Sequence, residues 1–251
     1  MKIKESMKCM SKLEAVGLEK IIKKTKIIQG ISLEVKSGEV VGLLGPNGAG
    51  KTTTFYMICG LISPSNGKIM LDGKDITQKP LNERAKEGIG YLPQESSVFK
   101  DLSVEDNLFL AAQIIYEDEK TISEKVEKML ELLSIEPIRL RKGLSLSGGE
   151  RRRCEIARSL MIEPKFLLLD EPFAGVDPIA VAEIQNLIKE LKDFGIGVLI
   201  TDHNVRETLA ICDRAYVIRA GNLLASGSAN EISHNKDVRK HYLGAEFKLF
   251  E

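Results

Sequence analysis

Apolar residues fall at alternating positions from Leu13 to Leu18, and again at Ile31, Leu33 and Val35 in a run that Ile27 opens and Gln29 breaks. Such alternation gives a strand one wet and one buried face, and it predicts two antiparallel strands followed by a turn at Ser37-Gly38-Glu39. Three other runs carry no polar phase: Val40-Val41-Gly42-Leu43-Leu44, Phe166-Leu167-Leu168-Leu169 and Gly197-Val198-Leu199-Ile200. Continuous apolarity suits strands covered by helices on both faces, as in a parallel sheet. Each run ends in residues able to do chemistry: a Gly-rich stretch after Leu44, Asp170-Glu171 after Leu169, and Asp202-His203 after Thr201. Ligands of open α/β sheets sit beyond the carboxyl ends of the strands, so the three tips are expected to converge on one site.

Helical periodicity dominates between the first and second of these runs, over Val104–Ile115, Ile122–Leu133 and Glu150–Ile162. Ser103-Val-Glu-Asp106, Thr121-Ile-Ser-Glu124 and Ser147-Gly-Gly-Glu150 each have the spacing of a capped helix start. The expected fold class is therefore α/β, as one domain. Residues 1–94 and 161–251 form a body with a mixed, largely parallel core sheet and an antiparallel β part, and residues 95–160 form an inserted helical subdomain. Near the end, Ala215–Ile218 and Leu223–Ser226 flank Gly221-Asn222 and predict a closing hairpin before a polar, His-containing helix and tail.

Gly45-Pro46-Asn47-Gly48-Ala49-Gly50-Lys51-Thr52 matches the eight-residue phosphate-loop pattern, after a buried strand and before the helical stretch Thr53–Leu61. Glycines let backbone N–H groups turn inward around an anion, and the following helix presents the positive end of its dipole. Lys51 adds a cation for the outer phosphates, and the Thr52 hydroxyl suits a hard, oxygen-seeking Mg²⁺. At the second tip two acids can divide two tasks, Asp170 helping to hold the metal and Glu171 orienting the water that attacks the terminal phosphorus. Pro172 ends that strand and gives Glu171 a way to turn towards the ligand.

Together with Gln94 in Tyr-Leu-Pro-Gln-Glu, Leu146-Ser-Gly-Gly-Glu150, Ala174-Gly-Val-Asp177 and His203, these motifs stand in the order seen in the ATPases of ABC transporters, which the chain resembles over nearly its whole length. The resemblance implies the P-loop NTPase fold of that family, two ATP molecules with Mg²⁺, and a head-to-tail homodimer. In that dimer Ser147, Gly148, Gly149 and Glu150 cover the γ-phosphate bound by the other copy, and Thr53 joins the P-loop contacts. It further implies that His203 contacts the γ-phosphate, that Gln94 stands near Mg²⁺ and the lytic water, and that Asp177 touches the opposite subunit. Ile22 stands where many of these ATPases carry an adenine-stacking aromatic, so no stacking role is carried over. Phe99 and Lys100 match the place where such ATPases receive a helix of a membrane subunit. Gly-Lys-Thr-Thr-Thr-Phe-Tyr-Met57, Glu-Arg-Arg-Arg-Cys-Glu-Ile-Ala157 and Tyr-Leu-Gly-Ala-Glu-Phe247 are most similar to the ATPases of lipopolysaccharide exporters of Gram-negative bacteria. That likeness implies two integral membrane permease subunits and a place on the cytoplasmic face of the inner membrane. ATPases of branched-chain amino acid importers, which also end in Tyr-Leu-Gly, are the alternative.

Composition narrows the rest. With 36 Lys plus Arg against 36 Asp plus Glu, bulk attraction to nucleic acid is not expected. Cys9, Cys59, Cys154 and Cys212 lie far apart without a Cys-x-x-Cys pair and read as free thiols of a reducing compartment. No run approaches the roughly 18 apolar residues that span a bilayer, so direct membrane insertion is not expected. The first ten residues lack the apolar core of a secretion signal, and both Met1 and Met10 are candidate starts. Of Arg151, Arg152 and Arg153, which span most of a helical turn, some are expected in solvent.

Overall fold

The computed structural model describes residues 11–244 and 246–249; Cys9, the candidate starts Met1 and Met10, and Ala245 of the Tyr242–Phe247 segment lie outside them. β1 (Lys12–Ile22) and β2 (Thr25–Lys36) pair antiparallel with Leu13 opposite Val35 and Ala15 opposite Leu33, as the alternation predicts. β3 (Val40–Leu44) enters a second sheet, and α1 (Lys51–Cys59) follows it. β4 (Asn66–Leu71) and β5 (Lys74–Asp75) return to the first sheet, in the order β2-β1-β4-β5. α2 (Leu81–Lys86) leads into β6 (Ile89–Leu92), after which come α3 (Val104–Gln113), α4 (Glu119–Leu132) and α5 (Gly148–Leu160). The remainder is β7 (Phe166–Asp170), α6 (Pro178–Asp193), β8 (Gly197–Thr201), α7 (Val205–Leu209), the hairpin β9 (Arg214–Arg219) and β10 (Asn222–Gly227), then α8 (Ala229–His234) and α9 (Lys236–Val238).

The second sheet runs β10-β9-β3-β8-β7-β6 and is parallel from β9 to β6, with β10 antiparallel at its edge. Every residue of β3, β7 and β8 is buried, and the two faces of the sheet serve different layers. Leu167, Leu169, Val198 and Ile200 pack with the cluster built from α3 to α6, whereas Leu43, Phe166, Leu168 and Leu199 pack with α1 and the first sheet. The carboxyl ends of β3, β7 and β8 are therefore neighbours, because the strands themselves are paired side by side.

Two of the three expected helix starts form capping boxes, with Ser103 paired to Asp106 and Ser147 to Glu150. The third is corrected: α4 begins three residues earlier than expected, with Asp118 as its cap. The Asp118 carboxylate accepts from the Thr121 N–H at 2.8 Å and from the Thr121 hydroxyl at 2.7 Å. A carboxylate outcompetes a hydroxyl there because its charge also meets the helix dipole.

α1 is anchored at its far end by Arg84, which is only 1% exposed. Its guanidinium donates to the carbonyls of Met57 (2.8 Å), Ile58 (2.6 Å), Thr77 (2.9 Å) and Lys79 (2.7 Å). The first two are carbonyls of the last helical turn, of which Met57 O also accepts the Gly60 N–H at 3.3 Å, and a cation is favoured at that end. Burial lowers the Arg84 pKa to about 10, which leaves it protonated at neutral pH. Replacing Arg84 by Met strands these acceptors in the interior and is expected to cost about 3 kcal/mol. Urea unfolding measures this, and an unchanged midpoint would remove Arg84 as the anchor of α1.

Candidate functional site

The loop after β3 turns on glycine where no side chain fits. At Gly45 (φ 149°) a Cβ would stand 2.1 Å from the Ile218 carbonyl oxygen of β9. The loop is tied down by Ala49 N–H donating to Pro46 O (3.1 Å) and Gly221 N–H donating to Ala49 O (2.9 Å). Gly50 is the N-cap of α1, and no side chain bonds there. The N–H groups and positive dipole end of the helix thus begin at the loop without a side-chain cap, an arrangement suited to an anion. Lys51 folds back over it, its Nζ donating to Gly45 O at 2.6 Å and Pro46 O at 3.2 Å. Burial lowers the Lys51 pKa, against the opposing charges of Glu171 and Asp202. Asn47, Gly48 and Thr52 are exposed, with Pro46 and Thr53 half-buried beside them.

At the end of β7 the Asp170 carboxyl is buried and its pKa is pushed up to about 6, first by burial and then by the charge of Glu171. A cation would relieve both causes. Among the described residues no group of three or more His, Cys, Asp or Glu is arranged to hold a metal. Mg²⁺ takes one or two carboxylates plus phosphate oxygens and water rather than an all-protein cage. The Asp170 carboxylate, the Thr52 hydroxyl and the Gln94 amide oxygen are the oxygen donors that fit.

Glu171 leaves the strand through a left-handed backbone (φ 47°), a conformation that costs a side-chain-bearing residue about 1–3 kcal/mol. The Glu171 N–H donates to Thr201 O of β8 at 2.7 Å. The turn brings the expected acid together with two expected neighbours: Gln94 Nε2 donates to Glu171 Oε2 at 2.9 Å, and His203 Nδ1 lies 3.2 Å from the same oxygen. A carboxylate, an amide and an imidazole thus meet at one point beside the phosphate loop. They can orient a water and contact a terminal phosphate.

Among the described residues, the other expected ones make no side-chain hydrogen bond to that cluster, although Gly148 shares a cleft with it. Ser147 Oγ accepts from Glu150 N–H at 3.3 Å while Glu150 accepts from Ser147 N–H at 2.8 Å and from Arg141 at 2.7 Å. A Cβ on Gly149 would stand 2.7 Å from that of Ala180, so this glycine lets α5 and α6 cross closely. Gly148 remains exposed and borders, with Gln94, Glu171 and Arg151, a cleft of about 160 Å³. A larger cavity of about 300 Å³, between α4, α5 and α6, contains none of these residues. Asp177 caps α6, accepting from Ile179 N–H (3.1 Å) and Ala180 N–H (3.0 Å). Phe99 is 45% exposed with the Arg158 guanidinium 4.5 Å from its ring centroid, and Lys100 is exposed next to it. Ile22 is 47% exposed at the end of β1.

Two residues that the sequence reading missed join the helices to the site. Arg152, the middle of the arginine triplet, is buried: it donates to Glu155 (3.2 Å), to the Pro93 carbonyl (2.9 Å) beside Gln94, and to the Asp170 carbonyl (3.3 Å). Glu155 in turn accepts from the Ser96 hydroxyl and the Ser97 N–H, both at 2.8 Å. Of the three arginines, some of which are expected in solvent, Arg152 is buried, and Arg151 and Arg153 are half-buried. The three-residue spacing of Arg152 and Glu155 on one helix face was the available signal.

A model of the ABC transporter family matches residues 28–174. The lipopolysaccharide export system ATP-binding protein LptB of Escherichia coli (strain K12) is 53% identical over 243 residues, 96% of this chain and 100% of that protein. The protein of the same name from Haemophilus influenzae is 52% identical over 241 residues, with the same shares covered. Among solved structures, the ADP conformation of an ATP-binding cassette of an ABC transporter superposes with a TM-score of 0.84 at 32% identity, covering 94% of this chain and 99% of that one.

Proposed function

Since this chain belongs to the ABC transporter family of ATP-binding subunits, we propose that it is the ATP-hydrolysing motor of a lipopolysaccharide exporter, working as a homodimer around two ATP molecules. The relatives named above serve lipopolysaccharide export, and the branched-chain importer reading is not favoured. The observation that carries the catalytic assignment is the meeting of Gln94 and His203 on one oxygen of Glu171, beside the open amino end of α1. Gly45 to Thr53 cradle the phosphates, and Lys51 exchanges its two carbonyl partners for phosphate oxygens. Thr52, Asp170 and Gln94 would hold Mg²⁺, which supplies charge neutralisation at the β- and γ-phosphates. Glu171 orients the attacking water and takes its proton, and His203 contacts the terminal phosphate.

One chain offers a single phosphate loop and a single Ser147–Glu150 edge, so the second half of each nucleotide site comes from the other copy. Gly148 is exposed for that contact, and Asp177 caps α6, whose Ala180 packs against Gly149 of α5. ATP binding favours the closed pair and hydrolysis releases it, a population shift driven by contacts made in only one state. Residues 95–160 act as the helical unit that carries this change, with Arg152 and Glu155 tying α5 to the loop of Gln94.

No helix among the described residues is long and apolar enough to cross a membrane. In the proposed exporter, membrane subunits handle the cargo. Phe99 and Lys100 form the docking point on the cytoplasmic face, an exposed ring and a cation suited to a helix seated in a groove. Phe99→Ala is expected to leave the ATPase activity of the isolated chain largely intact while abolishing its recovery with membrane subunits. Normal assembly of that variant would remove Phe99 from the contact. The function as a whole is tested by purification from native membranes: two integral subunits of a lipopolysaccharide exporter should come with the chain, and amino acid permeases in their place would overturn the assignment.

A further inference from the structure

We infer that Asp202 is a positioning residue that holds the turns of Glu171 and His203 in fixed relation to one another. β7 and β8 are paired to their ends, with Asp170 opposite Thr201, so their exit turns lie side by side. Asp202 is the first residue beyond β8 and is 0% exposed. One carboxylate oxygen, Oδ2, accepts the Phe173 N–H at 3.0 Å, two residues after Glu171. The other, Oδ1, accepts the Asn204 N–H at 2.8 Å, one residue after His203, and lies 3.6 Å from His203 Nδ1. The Thr201 carbonyl beside it receives the Glu171 N–H at 2.7 Å. The left-handed turn at Glu171 is thus bracketed on both sides by the end of β8, and the same carboxylate fixes the turn that presents His203.

The chemistry of the two contacts selects an acid. Both partners are N–H donors, and only an ionised carboxylate offers two acceptor oxygens with no donor. An Asn would keep one contact and turn its NH₂ against the other N–H. The inference rests on the roles given to Glu171 and His203 above: both oxygens of Asp202 are taken up by backbone amides of their turns, and only its charge reaches Lys51.

Asp202→Asn in the full chain is the test. It is expected to lower kcat by about 10- to 100-fold with the KM for ATP within about twofold, because the phosphate cradle is untouched. In a Glu171→Gln background the same substitution should change the residual rate by less than about twofold, since residues acting as one unit are not additive. An equal fold-loss in both backgrounds, or a raised KM with unchanged kcat, would overturn the inference. The premise is read separately: wild-type turnover by Glu171→Gln alone removes Glu171 from the reaction and the inference with it. Should Asp202→Asn not fold, amide exchange in the wild-type chain decides. Phe173 and Asn204 amides should both be protected, and a rapidly exchanging Phe173 amide would contradict the bridge.

Discussion

Lys51→Ala should abolish measurable nucleotide binding at concentrations that saturate the wild type. The ammonium folds over the loop, held by the Gly45 and Pro46 carbonyls at the place proposed for the triphosphate. Burial already lowers its pKa, so its charge is partly desolvated before ligand arrives, and a phosphate oxygen adds a direct charged partner to the opposing charges of Glu171 and Asp202. Removing a charge-assisted contact of this kind is expected to cost about 3 kcal/mol or more, on the order of a hundredfold in affinity. The backbone cradle survives the substitution, because the turn at Gly45 is set by the Ile218 carbonyl and not by Lys51. Calorimetric titration with Mg-ATP measures the loss, and an unchanged Kd would contradict the phosphate-loop assignment.

Glu171→Gln is expected to separate binding from hydrolysis. The amide has the shape of the acid and keeps an oxygen within reach of Gln94, so ATP should bind as before. It cannot accept a proton from water, and turnover should fall by a factor on the order of 10² or more. Since hydrolysis is what releases the closed pair, the variant should accumulate as an ATP-bound dimer. Single-turnover phosphate release gives the rate, and wild-type turnover would discard the general-base role of Glu171.

Much of this arrangement is legible in the amino-acid order because its determinants are local. Continuous apolarity marks β3, β7 and β8, and alternation marks β1 and β2. The Ser-x-x-acid spacing marks α3 and α5. The polar tips of the three buried strands are brought together by strand pairing alone, as the rule for open sheets requires. The family, too, is written in motifs whose spacing is fixed.

What escapes the sequence depends on partners far away along the chain. Nothing along the helix singles out Arg152 from Arg151 and Arg153 as the buried one until Glu155, Pro93 and Asp170 surround it. Arg84 gives no sign of its burial, because its four acceptors are carbonyls from α1 and the β5–α2 connection. β4, β5 and β6 are short, with little periodicity to read. The left-handed turn at Glu171 is likewise invisible: Pro172 announces a break, but the direction of the turn is set by Thr201 and Asp202 on the neighbouring strand.

The central claim is that two copies of the chain close on ATP, each completing the site of the other. Light scattering of the Glu171→Gln variant with saturating Mg-ATP tests it most directly. The mass should be that of two chains, returning to one when the nucleotide is withdrawn. A single-chain mass under saturation would contradict the account.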